Sequence, residues 1–136
     1  MGDPINSPGD SSRPDETLRV GFNLTLSAIG FGSLMLTMAA GDLSAGVDCL
    51  PFTFGPLGIS LLIAWFSLRK AVQVVIGAGS AAYFAWFLFI FCTVYFGSPD
   101  ANASLAFLFV GIYALPVMII VWIIAMANEP RFWQQA

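Results

Sequence analysis

Two adjacent cations, Arg69 and Lys70, separate two long stretches that hold no charged residue, 49–68 and 71–99. A helix crosses the roughly 30 Å hydrocarbon core of a bilayer in about 20 apolar residues, so each stretch is long enough to span it. The pair then marks a turn between two spans, and with no Gly or Pro to shape it the turn is expected to spread over 67–73. Two further uncharged stretches, 20–41 and 101–128, flank this hairpin. The chain therefore reads as an all-α integral membrane protein, a four-transmembrane-helix bundle with short loops. Its membrane domain covers 18–128, with spans at about 20–40, 50–68, 74–96 and 105–127.

Composition agrees with this reading. Only 10% of the residues are charged and 58% are hydrophobic, against roughly 25% charged in soluble domains. Four spans take most of the 136 residues, which leaves no length for an extramembrane domain with its own core. Residues 1–17 are rich in Pro, Gly, Ser and Asp and cannot bury enough apolar surface to offset their ordering entropy. They read as a disordered cytoplasmic tail. Residues 129–136 read as a short tail anchored at the interface by Arg131, Phe132 and Trp133. The first apolar run is longer than the roughly 7–15 residues of a signal-peptide core, so a retained span is expected.

All five Lys/Arg fall on one side of this topology. Arg13 and Arg19 precede span one, Arg69 and Lys70 lie between spans two and three, and Arg131 follows span four. The opposite loops hold Asp42, Asp48 and Asp100 and no cation. Because cytoplasmic loops concentrate Lys and Arg, both termini are expected in the cytoplasm.

The same inventory narrows the chemistry. No ionisable Asp, Glu, Lys, Arg or His lies within an expected span, and such groups mark proton relays and ion pathways. With no histidine and two cysteines, neither a Cys/His zinc site nor the commonest haem ligation is available, so no metal and no cofactor are expected. Ser80 and Cys92 have no base in reach by sequence, so no catalytic residue is assigned and the chain is not expected to be an enzyme. Five cations make no phosphate-tracking patch, which sets nucleic acid aside as a partner. Two motif matches fail on context. Gly77, Gly79 and Ala82 spell G-x-G-x-x-A, but inside an apolar helix and not at a strand-to-helix turn. Asp42, Ser44, Gly46 and Asp48 alternate like a calcium loop, but Thr53 stands where the closing Glu is required. Cys49 and Cys92 both lie toward the outer side, and their pairing stays open at this level.

Lipid supplies no hydrophobic drive between helices, so small residues and hydrogen-bonding side chains mark packing faces. In span one, Gly21, Thr25, Ala28 and Gly32 recur at helical spacing beside Asn23, Ser27 and Gly30; in span three, Gly77, Ala81 and Ala85 do the same. The candidate helix-packing residues are Asn23, Ala28, Gly32, Gly77 and Ala81, with spans one and three expected to meet through Ala28/Gly32 and Gly77/Ala81. In span two, Pro51, Gly55, Pro56 and Gly58 predict an interrupted helix, because proline removes an amide and crowds the preceding turn. Non-helical backbone at membrane depth must face protein or water, which makes Thr53, Gly55, Pro56 and Ser60 candidate cavity-lining residues. Phe52 and Phe54 are expected in an aromatic cluster around Trp86, Phe89, Phe107 and Tyr113. Gly111 and Pro116 predict a kink in span four.

The expected role is that of a small polytopic membrane protein, a structural or accessory subunit whose partners are the lipid bilayer and other membrane proteins or copies of itself. The alternative is a small oligomeric channel or transporter with a path lined by the 51–58 segment.

Overall fold

A computed structural model describes residues 19–40, 43–67, 69–97, 103–130 and Gln134. It consists of four helices, α1 Val20–Ala40, α2 Leu43–Phe66, α3 Lys70–Phe96 and α4 Ala103–Ala127, with no strand among the described residues. Each is long and apolar enough to cross a membrane. The most apolar helix, α4, with a mean hydropathy of 2.7 over its span, is also the least buried in the bundle. That pairing is physical, since a helix meeting lipid around most of its girth must be apolar all round. The chain is a four-helix integral membrane protein.

Helices α1 and α4 each pack on both α2 and α3, while α2 and α3 touch each other less and lie across a diagonal. Two boundaries differ from the sequence expectation. Helix α2 starts at Leu43, so Asp48 is an exposed helical residue and not part of a loop. The turn at the cationic pair is tighter than 67–73, because Arg69 in an extended conformation (φ −72°, ψ 131°) caps a helix that begins at Lys70. The 1–17 tail, Asp42, Asp100 and the 131–133 anchor expected from the sequence fall outside the described residues.

The expected interruption of span two is corrected: α2 is one helix through both Pro51 and Pro56. Pro56 has no amide to give the carbonyl of Phe52 four residues earlier. That carbonyl instead lies against Gly111 of α4, so close that a β-carbon on Gly111 would collide with it. Protein covers the freed oxygen, and the helix has no need to break. Helix α4 likewise continues through Gly111 and Pro116.

Two apolar clusters fill the bundle. The larger contains Phe54, Leu57, Tyr83, Phe87, Phe91, Phe107 and Met118; the smaller, toward the cationic end, is built from Ala64, Val72, Ile76 and Ala125. The aromatic centre is Phe87, with ring centroids 5.3 Å from Phe54, 6.0 Å from Phe91 and 6.2 Å from Phe107. Phe54 and Phe107 belong to it as expected, but Phe52 is 58% exposed and Trp86, Phe89 and Tyr113 also face outward. Helical periodicity explains the division: Phe52 lies two residues from Phe54, on the other side of α2.

Candidate functional site

The first group of candidate residues concerns the α1–α3 contact. Gly77 approaches Gly21 so closely that a β-carbon would come within 3.4 Å of the Gly21 α-carbon. Gly21 in turn lies on the backbone of Gln73. One turn along, Thr25 Oγ1 donates to Gly21 O (2.8 Å) and stands 2.7 Å from Ser80 Oγ, whose hydroxyl is left to close the pair as donor. Both side chains are fully buried. The helices therefore meet through Gly21/Gly77 and Thr25/Ser80. Of the other candidates, Ala28 is buried in the larger cluster, Gly32 receives the Phe54 ring of α2, and Asn23 and Ala81 are exposed.

The second group, on α2, is turned into protein. Thr53 is fully buried, and its hydroxyl donates to Phe107 O of α4 at 3.0 Å. The Thr53 carbonyl accepts from the Tyr83 hydroxyl of α3. Ser60 donates to Pro56 O (3.0 Å) and accepts from Trp122 Nε1 (2.9 Å). Pro56 is buried, whereas Gly55 is half-buried with nothing within 4 Å of the position a β-carbon would take. Thr53 and Ser60 are thus spent on binding α2 to its neighbours.

The side chain that ties the most elements together lies where the sequence predicts a turn. Gln73, 1% exposed, sits in the first turn of α3. Its Nε2 donates to Ala64 O (2.7 Å) and Ser67 O (2.6 Å) at the end of α2, and its Oε1 accepts from the Phe22 amide of α1 (3.0 Å). Beside it, Ser67 Oγ donates to Glu129 Oε2 at 2.6 Å, and Arg69 Nε lies 3.9 Å from Glu129 Oε1. Four helix ends are joined by one amide and one carboxylate. The available signal was a lone amide one turn beyond the cationic pair, at the start of an uncharged run.

Two concavities lie on the outside among the described residues. A groove of about 290 Å³ between α3 and α4 has Gly79 and Ala82 among its lining residues and includes the exposed Trp86 and Tyr113. A cleft of about 260 Å³ at the cationic end is lined by Arg19, Phe22, Ala64, Trp65 and Phe66. Cys49 and Cys92 are free thiols, and no group of three or more metal-ligating side chains occurs among the described residues. No protein-family model matches the chain, and no curated protein or solved structure is significantly similar to it.

Proposed function

We propose that the chain is an accessory subunit that packs against another membrane protein through the α3–α4 groove. One observation carries this reading: no buried side-chain nitrogen or oxygen among the described residues lacks a hydrogen-bond partner. Thr25, Thr53, Ser60, Gln73 and Ser80 are engaged within the bundle, so none is left over to line a solute path. A channel needs such a lining. What the molecule offers is its outer surface, where the groove combines small residues that allow close backbone approach with Trp86 and Tyr113 as large contact side chains.

The test is co-purification from native membranes in mild detergent. A stoichiometric heterologous partner is expected, lost on Ala82→Phe, which fills the groove at an exposed position while leaving thermal stability unchanged. A symmetric homo-oligomer that conducts solute in liposomes would instead establish the channel alternative. The proposed orientation has both termini in the cytoplasm. Cysteines introduced at Ser44 and Ser98 should be labelled from outside sealed cells and one at Arg69 should not; labelling at position 69 would reverse it.

A further inference from the structure

The cationic end of the bundle is unbalanced. Among its described residues, Arg19, Arg69 and Lys70 face a single carboxylate, Glu129, which is already engaged by Ser67 and Arg69. Arg19 makes no ion pair among the described residues and opens onto the cleft between the start of α1 and the end of α2. Of the described residues lining that cleft it alone is charged. The others form an apolar wall: Phe22 and Trp65 meet with ring centroids 5.4 Å apart and a 58° tilt, and Ala64 and Phe66 complete it. Trp65 and Phe66 are 62% and 80% exposed. Gln73 fixes α1 against α2 beside the cleft, since the same amide group accepts from the Phe22 amide and donates to the Ala64 carbonyl.

We propose that this cleft binds an anionic glycerophospholipid, with the phosphate on Arg19 and the upper acyl chain against Phe22, Trp65 and Phe66. A guanidinium matches a phosphodiester in charge and in its fork of donors. Basic pockets between spans, at the level where interfacial aromatics sit, are where anionic headgroups are recognised. The apolar wall decides between a lipid and a free anion, because inorganic phosphate has nothing to place against three aromatic rings. At about 260 Å³ the cleft falls just below the roughly 300–1,000 Å³ of sites for drug-sized ligands, a size for a headgroup with the chains lying outside.

Trp65 reports directly on the cleft. In a variant carrying Trp86→Phe, Trp122→Phe and Trp133→Phe, reconstituted in phosphatidylcholine vesicles, Trp65 fluorescence is quenched by brominated phosphatidylglycerol or by brominated phosphatidylcholine. The expected preference for the anionic lipid is about fivefold, the effect of one cation near the surface. It should fall to parity on Arg19→Gln, persist in Arg19→Lys, and survive Lys70→Gln, a cation outside the cleft. Parity in the parent, preference surviving Arg19→Gln, or equal loss on Lys70→Gln would each overturn the site, the last by reducing it to diffuse surface attraction. Inorganic phosphate at matched ionic strength should not displace the lipid; full displacement would make this a free-anion site and overturn the lipid assignment. The measurement uses the purified chain alone in symmetric vesicles, so it stands or falls separately from the accessory-subunit reading and from the orientation.

Discussion

The two halves of this bundle are held by different physics. Toward the cationic end, α1, α2 and α3 are joined by directed hydrogen bonds from Gln73, and α4 by Glu129 to Ser67, around a small cluster of Ala64, Val72, Ile76 and Ala125. In the other half, Phe54, Phe87, Phe91 and Phe107 fill the interior by shape, with Thr53 and Tyr83 adding two cross-links. Burial from water cannot drive helix association in lipid, so each half uses one of the two remaining means, polar bonding or close packing. The difference teaches that a hydrogen-bonded end fixes helix positions with few atoms, while a packed half distributes the same task over many weak contacts.

The comparison can be broken most sharply at Phe87. Phe87→Ala removes a fully buried ring from contact with four others and should cost about 3–5 kcal/mol. Steric trapping or denaturant titration in detergent measures it, and a cost below about 1 kcal/mol would show that the aromatic half is not close-packed. Gly111→Ala places a β-carbon on the Phe52 carbonyl and should cost about 1–3 kcal/mol by the same measurement. Gly55→Ala, with nothing within 4 Å, should be neutral or slightly stabilising. Equal effects at the two glycines would mean that the proline-freed carbonyl is not covered by α4.

At the hydrogen-bonded end, Gln73→Leu strips partners from the Phe22 amide and should cost about 1–3 kcal/mol. Amide exchange should then rise near Phe22 and Ala64 and stay unchanged near Phe87; a uniform rise would mean that the two halves are not separable. A smaller loss is expected at Thr25→Val, which keeps the shape and deletes the bond to Ser80. Interhelical hydrogen bonds in membranes average about 0.6 kcal/mol, so thermal midpoints should move little. A large loss there would make polar bonding dominant in both halves.

From the residue string alone follow the number of spans, their approximate limits and the segregation of cations to one end. These depend on hydropathy summed over about 20 residues, and no tertiary contact can reverse such a sum in a bilayer. The small residues of α1 and α3 also mark the close approach of those helices: Gly77 lies in it against Gly21, Thr25 meets Ser80 one turn along, and Gly32 lies against the rings of Phe54 and Phe87. Which level of such a stripe meets which neighbour rests on where the other helices stand. The tertiary structure alone decided that α2 runs unbroken through Pro51 and Pro56, because the cover for the freed Phe52 carbonyl comes from Gly111, far along the chain. It alone decided that Gln73 is the centre of one end and not a turn residue. An amide's worth depends on which donors and acceptors surround it, and those of Gln73 lie on α1 and α2, beyond the reach of any pattern within its own segment.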